Sequence, residues 1–90
     1  MKTILVTGTS SGIGNQICIH AAAMNFRVIS VSRNIEPLKD LGGIESFKLD
    51  ITDKDSVDDF VTNLKNRKIK IDILINNAGY LVSELFGETT

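Results

Sequence analysis

The 90-residue sequence has one cysteine, one histidine, one tyrosine and no long apolar run. A lone thiol, Cys18, forms neither an intrachain disulfide nor a cysteine-based metal site. It falls inside an apolar helical pattern, where a small buried hydrophobe is expected, and it is compatible with a reducing compartment. His20 lies on the same segment, away from its glycine-rich start, and reads as a solvated helix residue rather than a ligand or base. The carboxylates from Asp53 to Asp59 read as a helix start, not an oxygen cage, so no metal site is expected. Ile4-Leu5-Val6 is too short for the apolar region of a signal peptide, and nothing approaches a membrane span. Net charge is −1 with both signs interspersed. Without a basic stripe, nucleic acid is a poor partner. A soluble cytoplasmic chain, with no nucleic-acid or membrane partner, is the expectation.

What is present is an ordinary globular composition, 42% hydrophobic and 23% charged, in a length that suits one small domain or a piece of a larger one. Ile4-Leu5-Val6, Val28-Ile29-Ser30-Val31 and Ile71-Asp72-Ile73-Leu74-Ile75 are short apolar runs rich in β-branched residues. Separated by helical patterns, they predict buried parallel strands. Ser46-Phe47-Lys48-Leu49 alternates and predicts a strand nearer an edge. A helix is predicted from about Gly12 to Met24, with Ile13, Ile17, Ala21 and Met24 on one face and Ala21-Ala22-Ala23 allowing close packing on a sheet. Asn25 follows where a left-handed residue is wanted. A second helix, about Lys54 to Arg67, carries Val57, Phe60, Val61 and Leu64 at i, i+3, i+4, i+7, and Thr52 with Asp55 has capping-box spacing. A short helix is assigned to Ile35–Leu41, ending at Gly42-Gly43. The order β-α-β-(α)-β-α-β with right-handed crossovers implies an α/β, Rossmann-type doubly wound parallel sheet of four strands ordered 3-2-1-4.

Thr7-Gly8-Thr9-Ser10-Ser11-Gly12-Ile13-Gly14 joins the first strand to the first helix. The first amides of such a helix are unpaired and, with the positive end of the dipole, make an anion site suited to a dinucleotide's pyrophosphate. Gly8 permits the tight turn, Gly12 a close backbone approach, and Gly14 close packing of helix on strand. Ser10 and Ser11 add hydroxyl donors, and Ile13 joins the same cofactor-binding set. The glycine spacing, 0, +4, +6, differs from the common G-x-G-x-x-G.

Thr7-Gly8-x-x-x-Gly12-x-Gly14 followed by Asn76-Asn77-Ala78-Gly79 resembles the short-chain dehydrogenase/reductase family, with the motifs in the family's order and spacing along the whole chain. The resemblance implies that Asp50 hydrogen-bonds the adenine amino group with Ile51 beside it. It also implies that Asn77, Ala78 and Gly79 line the cofactor ribose while Asn76 braces the sheet. At the end of the second strand an acid ordinarily receives the ribose hydroxyls of NAD. Ser32-Arg33 stands there instead. An arginine fork accepts a 2′-phosphate through charge-assisted bonds, and Ser32 leaves room and can donate its hydroxyl. NADP(H) is therefore favoured over NAD.

The family's hydride transfer uses a Tyr-x-x-x-Lys pair and a Ser. The only tyrosine, Tyr80, has Glu84 four residues on, and a nearby carboxylate raises a phenol's pKa. No catalytic residue is assigned. Gly87-Glu88-Thr89-Thr90 resembles the run into the family's next helix. Residues 1–90 are accordingly expected to be a partial NADP-binding domain, the N-terminal fragment of a larger one, with an uncovered edge on the fourth strand and marginal stability alone. The intact parent is expected to be a homo-oligomeric, NADP-dependent oxidoreductase acting on a carbonyl or alcohol, and the 90 residues alone to be inactive. The alternative is a non-catalytic nucleotide-binding or regulatory module.

Overall fold

Apolar residues on both sides of a strand bury it on both faces, and the sheet is built this way. The computed structural model describes residues 1–8, 12–34, 38, 41–75 and 85. Its elements are β1 (Thr3–Thr7), α1 (Gly12–Ala23), β2 (Arg27–Ser32), β3 (Ile44–Lys48), α2 (Lys54–Asn66) and β4 (Ile73–Ile75). All strand pairs are parallel and the order is β3-β2-β1-β4. The doubly wound expectation thus holds, including the edge position of β3. The helix assigned to Ile35–Leu41 falls mostly outside the described residues.

The strand period of two sorts the core into two layers. Leu5, Ile29 and Val31 point to the α2 side, where Leu49, Val57, Phe60, Val61, Leu64 and Ile71 join them. Ile4, Val6 and Val28 point to the α1 side and meet Cys18, Ala21 and Leu38. Cys18 is a buried free thiol, and burial pushes it up to about 11, so it stays protonated and inert at neutral pH. His20 is exposed, as expected for a solvated helix residue.

Ile13, Ile17, Ala21 and Met24 share one side of α1, as expected, and line one cavity, but the sheet covers only part of that side. Ala21 is buried and Ile17 half-buried, but Ile13 is 77% and Met24 67% exposed. The residues seated on the sheet are Gly14, Cys18 and Ala21. Small side chains can lie closest to a strand layer, and Ile17 packs at the margin of the same core.

Both helices end in a Schellman turn. After α1, Asn25 adopts φ 67°, Phe26 N–H donates to Ala21 O and Asn25 N–H to Ala22 O. After α2, Lys68 adopts φ 57°, with Ile69 N–H on Leu64 O and Lys68 N–H on Lys65 O. The start of α2 also differs from expectation. Its N-cap is Asp53, whose side chain accepts from the amides of Asp55 and Ser56, while Ser56 Oγ donates to Asp53 Oδ2. Thr52, expected to be the cap, is bonded to Asp50.

Candidate cofactor site

In a parallel doubly wound sheet the loops leaving the carboxyl ends of the strands converge on one edge, and ligands bind there. The ends of β1, β2 and β3 deliver Gly8, Ser32-Arg33 and Asp50-Ile51-Thr52 to one cavity of about 360 Å³, closed beneath by Val31 and Leu49. Backbone bonds fix these loops to each other. Gly8 N–H donates to Val31 O at 3.0 Å, and Leu49 N–H to Ser32 O at 2.8 Å.

Gly8 has φ +68° and Gly12 φ +61°, a left-handed backbone that other residues adopt at a cost. No described atom lies within 4 Å of where a Cβ would stand at either position, so conformation is what calls for glycine there. Gly14 is one of the buried residues of α1. Gly12 and Ile13 line a different and larger cavity, about 770 Å³, along the flank of α1 with Ile4, Ile17, Met24 and Phe26. Size alone would choose that flank. Its lining is largely apolar and lacks the convergent charges found at the strand ends, so the smaller cavity is the better candidate for a charged ligand.

Ser32 is buried, and its Oγ donates to the backbone carbonyl of Asn34 at 2.7 Å. The hydroxyl proton expected to be available for a ligand is thus engaged within the loop, leaving lone pairs on the oxygen. Arg33 is exposed beside it. Asp50 Oδ1 accepts from Thr52 Oγ1 at 2.6 Å and from Thr52 N–H at 2.9 Å. The Thr52 hydroxyl and then its amide hold the Asp50 carboxyl below its ordinary range against partial burial, with a further contribution from the positive charge of Arg33. Asp50 is therefore an acceptor at neutral pH. Ile51 is half-buried on the same turn.

The structure brings together Gly8, Ser32, Arg33, Asp50 and Ile51 of the expected set, while Gly12, Ile13 and Gly14 begin α1. Ser10, Ser11, Asn77, Ala78 and Gly79 lie outside the described residues, as do Asn76, Tyr80 and Glu84. Thr52 was assigned elsewhere by its capping-box spacing. The signal for its actual role is Asp-x-Thr, the spacing at which an aspartate accepts from the backbone two residues on.

A family model described as short chain dehydrogenase matches residues 2–90. The chain belongs to the short-chain dehydrogenase family. It is 36% identical over 86 residues to a 3beta-hydroxysteroid dehydrogenase of Mediterraneibacter gnavus, a match covering 87% of this chain and 31% of that one. Among solved structures, 4-hydroxyisoleucine dehydrogenase complexed with NADH superposes with a TM-score of 0.80 at 29% identity, over 88% of this chain and 34% of that one. A metagenomic short-chain oxidoreductase in complex with NADP superposes with a TM-score of 0.74 at 31% identity, over 87% and 39%. The chain spans about a third of the length of these short-chain dehydrogenases. Among the described residues no helix is long and apolar enough to cross a membrane, and no group of metal-ligating side chains occurs.

Proposed function

We propose that residues 1–90 form the NADP-binding part of a short-chain oxidoreductase, whose complete domain transfers a hydride between NADP(H) and a carbonyl or alcohol. The observation that carries this reading is the shared cavity at the strand ends, which sets the Arg33 cation and the Asp50 carboxylate around one space. β2 ends in Ser32 and Arg33 follows, with no acid at either position, so a 2′-phosphate would meet a guanidinium where NAD-binding chains offer a carboxylate. The Ser32 hydroxyl is turned toward Asn34, which leaves Arg33 as the donor for a 2′-phosphate.

The chemistry of the donor set fits the cofactor. Gly8, Gly12 and Gly14, with Ser10, Ser11 and Ile13, would hold the pyrophosphate at the start of α1. Asp50 would accept from the adenine amino group, Ile51 would cover the ring, and Asn77, Ala78 and Gly79 would line the ribose. The bound cofactor supplies the hydride. These residues bind and orient it, and none of them is assigned a proton-transfer role. A parent that is cytoplasmic and homo-oligomeric belongs to the same proposal. A second reading is a nucleotide-binding module without catalysis; the only tyrosine of these 90 residues, Tyr80, has Glu84 four residues on and supplies no Tyr-x-x-x-Lys pair. A reductase assay on the 90-residue chain separates the two only if turnover appears, which would overturn the assignment of no catalytic residue.

The cofactor reading is tested by titrating NADPH and NADH into the wild type and Arg33→Ala. Charge-assisted bonds of this kind lead us to expect about a 10- to 100-fold loss for NADPH with little change for NADH. An unchanged preference in Arg33→Ala would overturn it.

A further inference from the structure

We infer that Thr52 is a positioning residue for base recognition: it clamps one oxygen of Asp50, so that the other is presented to the cavity as a fixed acceptor for an exocyclic amino group. The inference rests on the nucleotide reading above and adds to it a residue that acts through Asp50.

Three observations carry it. Both Thr52 bonds fall on the same atom, Asp50 Oδ1, at 2.6 and 2.9 Å. A carboxylate on an exposed turn otherwise exchanges its two oxygens by rotation, and a ligand that needs one orientation must bear the entropy of stopping it. Two donors on one oxygen stop that rotation before the ligand arrives. Secondly, the Thr52 hydroxyl is not engaged in starting α2, because Asp53 caps that helix by itself. Asp53 N–H in turn donates to Asp50 O at 3.0 Å, so the backbone of the turn holds without the hydroxyl. Thirdly, Arg33 and Asp50 line one cavity, yet no ion pair joins them among the described residues. The clamp keeps the carboxylate on its own side of the cavity and leaves the guanidinium to an anion.

The variant that isolates the hydroxyl is Thr52→Val, which keeps shape and backbone N–H, with Thr52→Ser as the conservative rescue. The probes are adenosine 2′,5′-bisphosphate and its inosine counterpart, in which an oxygen replaces the 6-amino group, titrated calorimetrically into the full chain. The wild type should prefer the adenine compound by about tenfold, the size of one hydrogen bond to a charged group. Thr52→Val should lower that preference to about threefold or less while its affinity for the inosine compound stays within about twofold, and Thr52→Ser should restore it. A preference undiminished in Thr52→Val would overturn the inference. So would an equal weakening of both nucleotides, which marks a merely structural role. If the wild type binds both compounds equally, the clamp has no base to read and the inference fails alone. If it binds neither, the nucleotide reading fails with it.

Discussion

The two faces of the sheet are packed by opposite means. On one, α1 lies on Gly14, Cys18 and Ala21, and its Cα atoms come within 8 Å of those of β1, β2 and β3. On the other, α2 stands on Val57, Phe60, Val61 and Leu64, and none of its Cα atoms comes that close to a strand. Large side chains hold a helix off and fill the gap, as where the Phe47 and Phe60 rings meet edge to face with centroids 5.0 Å apart. Small ones let the helix descend, and on this face Ile13 and Met24 are exposed beside a broad apolar cavity. The distinction serves the site. The close approach of α1 sets its N-terminus beside the end of β1, whereas the filled α2 layer anchors the turn that bears Asp50.

The comparison breaks most severely at Phe60. Phe60→Ala removes the ring that spaces α2 from the sheet and leaves a void, and the expected loss is about 3–5 kcal/mol, measured by urea unfolding. For a small domain this is a large share of its stability. A loss below about 1 kcal/mol would mean that α2 simply settles inward. On the opposite face overpacking is the sensitive change. Ala21→Leu should cost about 1–3 kcal/mol by forcing α1 off the strands, whereas Met24→Lys on the exposed flank should stay within about 0.5 kcal/mol. Equal effects at the two positions would contradict the close seating of α1.

The smallest effect is expected at the rim of the α2 face. There Arg67 Nη1 and Nη2 donate to Glu45 at 2.6 and 3.1 Å, tying the end of α2 to β3, with Arg27 3.8 Å away. The Arg67 hydrogen bond, aided by both positive charges, lowers the Glu45 pKa against a small burial penalty. A carboxyl with a depressed folded pKa contributes stability that is complete above its unfolded pKa and is lost as pH falls through the folded value. Acidification below the ordinary glutamate range should therefore erode stability slightly, and Glu45→Gln should remove that component of the pH profile. The pair is about two-fifths exposed, so solvent screening keeps the effect small. A Glu45→Gln profile parallel to the wild type throughout would remove the tie.

Much of the fold could be read beforehand because it rests on short-range rules. The continuous apolar runs mark β1 and β2 as buried strands, the stripe on α2 names its buried face, and Asn25 marks the end of α1. Of the residues assigned to the cofactor, Gly8, Arg33 and Asp50 come together at one cavity, Gly8 by its backbone conformation, Arg33 by its place after β2 and Asp50 through the family likeness. The misread positions share a cause. Thr52 and Asp53 are both good caps by type; Asp53 caps the helix, and the Thr52 hydroxyl bonds Asp50 instead. Ser32, expected to offer its hydroxyl to a ligand, donates it to the Asn34 carbonyl.

By itself the sequence determined which segments are strands and helices, their order 3-2-1-4, and the glycine-rich passage from β1 into α1. Period, chirality and positive φ are properties of the local chain. Tertiary structure alone decided how far each helix stands from the sheet, which side of α1 faces water, and which hydroxyl serves a cap and which a carboxylate. Those outcomes depend on competition for space and for hydrogen bonds among residues that meet only after the sheet has assembled.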